Sequence, residues 1–194
     1  MRAVAVYCSS TDRLPQVTLD LAHGLGHLLG VRGIRLLYGG GARGLMGVVA
    51  RAAHAAGGEV SGFMLQTLRE REGANVAVGT LHFVSTLEER KRGMAAEADA
   101  VIALPGGIGT LDELTEVLTQ DDIGFSATPV CLCDADGFWE PFTQMIARFD
   151  AYGVMRAGVR RDLIHARGAA AALDACAAAL AARFQVTSTL GLTA

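Results

Sequence analysis

Short apolar runs alternate with longer amphipathic ones along the chain. Six runs read as strands: AVAVYC (3–8), IRLLY (34–38), EVSGFM (59–64), LHFV (81–84), AVIAL (100–104) and PVCLC (129–133). They are short and lack the apolar–polar alternation of a sheet with one wet face. The pattern therefore predicts a parallel sheet covered on both faces. Helical patterns lie between them. Residues 16–31 carry Leu21, Leu25, Leu28 and Leu29 at helical spacing, and residues 44–57 are small and apolar. Residues 86–98, 110–120 and 138–150 follow. An alanine-rich stretch, 169–183, presents Leu173, Cys176 and Leu180 as a stripe. This β–α alternation predicts an α/β fold with a doubly wound parallel sheet. No linker or repeat interrupts it, so residues 1–185 are expected to form a single domain and 186–194 to fray.

Composition acts mainly by exclusion. Of 194 residues, 51% are hydrophobic and 19% charged, which describes a folded chain. A net charge of −3 with no basic cluster gives no nucleic-acid footprint. No stretch reaches the roughly 18 apolar residues of a membrane-spanning helix, and MRAVAVYCSS is too short and strand-like for a secretory signal. Cys8, Cys131, Cys133 and Cys176 include no C-x-x-C pair. They read as buried reduced thiols, which points to the cytoplasm. His23 and His27 have metal-ligand spacing, but HGLGH lacks the glutamate of the zinc motif, so they read as surface or subunit-contact residues and no metal site is expected. No G-x-S-x-G elbow is present either.

In a doubly wound sheet, ligands bind beyond the carboxyl ends of the strands. Four loops gather there: Cys8-Ser9-Ser10, then Gly39-Gly40-Gly41-Ala42-Arg43-Gly44, then Ser85 to Lys91, and Pro105-Gly106-Gly107-Ile108-Gly109-Thr110. Glycines let backbone N–H groups approach an anion closely, and a following helix adds its unpaired N–H groups and positive dipole end. Two such loops on one edge point to a phosphate. Neither is a Walker A loop, and no acid suited to a ribose follows the third strand, so a nicotinamide dinucleotide is not expected.

Carboxylates follow the last of these loops. On a helix near Thr110, Leu111, Leu114, Val117 and Leu118 form the buried arc, with Glu113 and Glu116 beside it. Two readings of Glu113 stay open. It can answer the helix dipole, as Asp112 does, or it can act on a sugar, since two acids near a sugar are what glycosidic hydrolysis requires. In STLEERKRGMAAEADA, Thr86 and Glu89 form a capping box, while Leu87, Met94 and Ala98 make the apolar stripe. Arg90 and Lys91 flank that stripe. Arg90 is either a snorkelling stem or a guanidinium facing a phosphate or Glu113.

These residues resemble a known family. YGGGARGLMG (38–47), ERK (89–91) and PGGIGTLDE (105–113) are similar, in order and spacing, to the motifs of the LOG (LONELY GUY) family. Its members are cytokinin riboside 5′-monophosphate phosphoribohydrolases, often mislabelled lysine decarboxylases. The resemblance runs over about residues 3–150. It implies a Rossmann-like fold and a homodimer, and the hydrolysis expected of the chain needs no metal or redox cofactor. It also implies hydrolysis of the N-glycosidic bond of an N6-modified adenosine 5′-monophosphate to free base and ribose 5-phosphate, with plain AMP often accepted. By motif position, Arg90 and Glu113 are the catalytic pair. Substrate would be held by Ser9, Ser10, Gly40, Gly41, Lys91, Gly106, Gly107, Gly109, Thr110 and Glu116. The chain departs from the family pattern at Ile108, at Leu87, at Gln120-Asp121-Asp122 and in its Cys-Ser-Ser loop. A lysine decarboxylase would need a Schiff-base lysine, and Lys91 is the chain's only lysine. The alternatives are a general AMP nucleosidase and a non-catalytic nucleotide or molybdenum-cofactor binder.

Overall fold

The computed structural model describes residues 1–69, 73–126, 128–156 and 163–189; the side chains of 184–189 are excepted. Seven strands form one sheet: β1 (Ala3–Tyr7), β2 (Arg35–Tyr38), β3 (Val60–Leu65), β4 (Thr80–Val84), β5 (Ala100–Ala103), β6 (Val130–Asp134) and β7 (Leu163–Arg167). Their order is β4-β3-β2-β1-β5-β6-β7 and every pairing is parallel. The helices among the described residues are α1 (Gln16–Val31), α2 (Gly44–Ala55), α3 (Leu87–Ala95), α4 (Ile108–Asp122), α5 (Glu140–Ala151) and α6 (Ala169–Thr189).

Two apolar cores explain why the inner strands read as unbroken apolar runs. On one face, Val4, Val6, Leu36 and Ile102 of the sheet pack with Leu25, Leu29, Val49 and Cys176 of α1, α2 and α6. On the other, Ala5, Tyr7, Val101 and Leu132 pack with Met94, Leu114, Val117, Phe142 and Ile146 of α3, α4 and α5. Of the HGLGH glycines, Gly26 is buried at the contact of α1 with α2, whereas Gly24 is half-buried. A Cβ on Gly26 would lie 2.2 Å from the Val49 carbonyl oxygen, so its absence lets α1 sit against α2. His23 and His27 are exposed on the outer side of the same helix. All four cysteines are free and buried.

The six expected strands form, with ends shifted by a residue or so, and four expectations need correction. β7 was not foreseen, because LIHAR alternates polar with apolar residues, as an edge strand can. β4, expected to be covered on both faces, is the opposite edge and is largely exposed. Leu87, assigned to the buried stripe of α3, is 46% exposed, whereas Met94 is fully buried. α6 runs to Thr189, so residues 186–189 of the expected frayed tail are helical, while 190–194 lie outside the described residues.

This topology fixes where a ligand can go. From β1 the chain winds outward through β2, β3 and β4, then returns to place β5 on the other side of β1. The strand order therefore reverses between β1 and β5, and the crevice at a doubly wound sheet's switch point opens between the loops that follow them.

Candidate active site

The loops after β1 and β5 meet directly: the Ser9 N–H donates to the Pro105 carbonyl at 3.2 Å. Beside them lies a cleft of about 320 Å³, lined by Cys8 to Thr11, Met46, Arg90, Gly107, Gly109, Thr110 and Glu113. Of the expected site residues, Ser9, Ser10, Gly107, Gly109, Thr110, Arg90 and Glu113 come together here. Gly40, Gly41, Gly106, Lys91 and Glu116 lie off the lining. Cys8, Thr11 and Met46 also line the cleft; Cys8 stands in the first expected loop and Met46 in a quoted motif, whereas Thr11 was not singled out by sequence reasoning. Thr11 could have been found from its position just beyond β1.

Arg90 is the most constrained side chain of the site. It leaves α3, whose start is fixed by the expected capping box between Thr86 and Glu89, and it is 9% exposed. Each of its three nitrogens has a partner. Nε donates to the Phe63 carbonyl at 3.0 Å, one terminal nitrogen to Glu113 Oε1 at 2.9 Å, and the other to the Gly39 carbonyl at 3.2 Å. The guanidinium thus passes the ends of β3 and β2 to reach a carboxylate on α4. The expected approach of Arg90 to Glu113 is thus observed. A buried arginine is tolerable only when satisfied in this way.

Glu113 is 7% exposed and enters the cleft from the second turn of α4. Its charge is felt by Cys8 on the cleft wall and by Tyr7 in the core beside it. Burial, together with the Glu113 and Glu116 carboxylates, pushes the Tyr7 hydroxyl far above its ordinary value. Burial and Glu113 do the same to the Cys8 thiol. Both groups are held protonated, and neither is a neutral-pH nucleophile.

The two glycine loops differ in what their helices leave open. The start of α2 is already occupied: the Gly44 N–H donates to Asp12 Oδ1 at 2.9 Å, and the Leu45 and Met46 N–H groups donate to the Ser9 carbonyl at 3.0 and 3.4 Å. Gly40 accepts from the Asn75 N–H, and Gly41 bridges to Ala74. The start of α4 is different, for no side chain caps it. Gly106 is explained by the protein alone, since a Cβ there would lie 2.1 Å from Thr110 Oγ1. Gly107 and Gly109 are not, because a Cβ on either would meet nothing within 4 Å and neither has a positive φ.

Lys91, next to Arg90, bridges Glu116 Oε2 at 2.5 Å and Asp112 Oδ2 at 3.2 Å. These bonds, that to Glu116 foremost, raise its pKa. A Schiff-base lysine needs the opposite shift, so the chain's only lysine does not fit a pyridoxal enzyme. Among the described residues, no cluster of His, Cys, Asp or Glu could hold a metal ion, and no helix is long and apolar enough to cross a membrane.

Known proteins resemble this chain in sequence and in fold. The chain is 44% identical over 165 residues to the cytokinin riboside 5′-monophosphate phosphoribohydrolase LOG of Oryza sativa subsp. japonica, spanning 85% of this chain and 68% of that one. A cytokinin riboside 5′-monophosphate phosphoribohydrolase of Arabidopsis thaliana is 38% identical over 168 residues, spanning 87% of this chain and 79% of that one. The molybdenum cofactor carrier protein of Chlamydomonas reinhardtii superposes with a TM-score of 0.72 at 22% identity, over 93% of this chain and 98% of that one, a likeness of fold alone. Residues 46–176 match a family model described as possible lysine decarboxylase, a description that the pairing of Lys91 does not support. By this likeness over most of its length, the chain belongs to the LOG family of cytokinin riboside 5′-monophosphate phosphoribohydrolases.

Proposed function

We propose that the chain hydrolyses the N-glycosidic bond of an adenosine 5′-monophosphate, plain or N6-modified, giving the free base and ribose 5-phosphate. The observation that carries this reading is the buried 2.9 Å Arg90–Glu113 pair on the wall of a cleft that ends at the uncapped start of α4. The 5′-phosphate sits at that start, against the backbone of Gly107, Ile108 and Gly109, with the hydroxyls of Thr110, Ser9 and Ser10 around it. Open space where Gly107 and Gly109 lack a Cβ supports the placement.

With the phosphate anchored, C1′ of the ribose lies beside Glu113. As the C1′–N9 bond stretches, its electron pair leaves with the base and positive charge spreads over C1′ and the ring oxygen. The Glu113 carboxylate stabilises that charge and accepts a hydrogen bond from the attacking water. The water oxygen bonds to C1′, and one of its protons finishes on the base. Arg90 keeps Glu113 ionised and aimed. All its nitrogens are engaged by the protein, which suits it to this task better than to gripping phosphate.

The same layer of helices supports a homodimer. α5 buries Phe142 and Ile146 but exposes Met145 and Phe149, and Tyr152 and Val154 follow it at 70% and 69% exposure, beside a groove of about 620 Å³. A second copy of the chain would cover this surface; a monomeric mass by analytical ultracentrifugation would remove the dimer from the account. Four unpaired buried thiols favour the cytoplasm.

The test is a panel of nucleoside monophosphates, including AMP, isopentenyladenosine monophosphate, GMP and CMP, assayed for ribose 5-phosphate. The reading expects release from the adenine nucleotides, with kcat/KM ranking the two. A nucleotide bound tightly but recovered intact after long incubation would instead make the chain a carrier.

A further inference from the structure

The start of α4 carries more negative charge than its chemistry uses. Glu116 lies three residues after Glu113 and is its neighbour on the helix surface, whereas Asp112, one residue before, points about 100° away. Left alone, Glu116 would work against the ionised state that Glu113 needs. Its influence reaches buried groups near the site, since Glu116 as well as Glu113 acts on Tyr7. Arg90 answers only one of these charges.

Lys91 answers the other two. Its Nζ lies 2.5 Å from Glu116 and 3.2 Å from Asp112. The stem is largely covered, with 17% of the side chain exposed, so the ammonium is held in place. Arg90 and Lys91 are consecutive on α3, and Asp112, Glu113 and Glu116 span little more than one turn of α4. The two helices therefore face each other through a ladder of ion pairs, the buried rung inside and the lysine rung outside. The residue type fits this position. Sixteen of the seventeen basic residues are arginine, yet the outer rung is the one lysine. A compact ammonium can sit between two carboxylates of one helix, whereas a flat guanidinium prefers a single bidentate partner.

We propose that Lys91 is a positioning residue: by bridging Asp112 and Glu116 it locks α3 to α4 and neutralises Glu116, the carboxylate one turn beyond Glu113. This rests on the hydrolytic reading above, and it takes Lys91 away from the direct substrate contact that the family resemblance implies. The charged and titratable groups around Glu113 include Arg90 and Lys91 of α3, Tyr7 and Cys8 of β1 and its loop, and Glu116 of α4 itself. Among these, Lys91 and Glu116 act on it with opposite signs.

The experiment measures kcat, KM for AMP and the pH profile of kcat/KM for the parent, Lys91→Met, Lys91→Arg and Glu116→Gln. Lys91→Met is expected to lower kcat about tenfold by loosening the pair. It should also move the acid limb up by about half a pH unit, with KM within threefold of the parent. Lys91→Arg keeps the charge, so its acid limb stays put. Glu116→Gln leaves the ammonium less compensated and moves the limb down, a sign that general disruption of the site would not produce. A KM raised tenfold or more in Lys91→Met with an unmoved limb would make Lys91 a phosphate ligand and overturn the proposal. Parent-like behaviour of Lys91→Met would overturn it too. Should Lys91→Met not fold, Glu116→Gln decides alone: a limb that stays or rises refutes it. A parent that releases no ribose 5-phosphate overturns both this inference and the hydrolytic reading, whereas an active parent with contrary variants overturns this inference only.

Discussion

Replacing Gly39 by alanine tests the guanidinium cage from the side on which nothing reacts. Gly39 ends the β2 edge of the site and its φ is not positive, so alanine fits the backbone there. The added Cβ, however, would stand 1.9 Å from a terminal nitrogen of Arg90, 3.0 Å from its Cζ and 2.9 Å from Met46 Sδ. To regain van der Waals contact the guanidinium must retreat by about 1.5 Å. As the end of a long side chain it can do so, but its three tethers cannot follow. The bond to the Gly39 carbonyl is lost, and the 2.9 Å contact with Glu113 opens beyond hydrogen-bonding range. A hydrogen bond to a charged group contributes about 1.5–3 kcal/mol. At about 1.4 kcal/mol per decade, Gly39→Ala should lower kcat/KM by roughly 10- to 100-fold. The assay is ribose 5-phosphate release from AMP, with thermal melting to confirm folding. A folded Gly39→Ala protein within twofold of the parent would refute the claim that Arg90 must be held where the structure places it.

Other consequences are quicker to state. Gly109→Ala puts a methyl into open space on a helix, so it should stabilise the free protein by about 0.5–1 kcal/mol while raising KM for the nucleotide; unchanged KM would remove the phosphate from the start of α4. Gly24→Ala, whose Cβ would lie 4.0 Å from that of Ala169, should raise the melting temperature and leave kcat/KM alone. Tyr7 and Cys8 keep their protons in the folded state well above the pH at which they would lose them unfolded. The stability this gives is complete below about pH 9 and declines as pH rises past it, so the melting temperature should fall above that point. Cys8 should also react slowly with iodoacetamide at pH 8 unless the protein is denatured; fast labelling of the native thiol would contradict the protonated assignment.

What the sequence made legible was local. Buried strands without alternation identified a doubly wound sheet, and the capping box at Thr86 and Glu89 fixed the start of α3, because each signal lies within a few residues of the element it describes. β7 carries His165 and Arg167 on an exposed edge and so lacked the apolar run that marks the inner strands. The cage of Arg90 was illegible for a different reason: its carbonyl partners, Phe63 and Gly39, are 27 and 51 residues away, and any residue type carries a carbonyl. Asp12 was missed likewise, since it caps a helix that starts 32 residues later. The glycine loops looked alike in sequence. Only the fold distinguishes the one whose helix start is filled by Asp12 and the Ser9 carbonyl from the one left open toward the cleft.

The central claim is that the Glu113 carboxylate stabilises positive charge on the sugar, and single-turnover hydrolysis of AMP by Glu113→Gln measures this most directly. The glutamine keeps the shape and a hydrogen bond for Arg90 but not the charge, so the account predicts a rate lower by about 10²- to 10³-fold, with AMP still bound. A Glu113→Gln protein that releases ribose 5-phosphate at the parent's rate would contradict it.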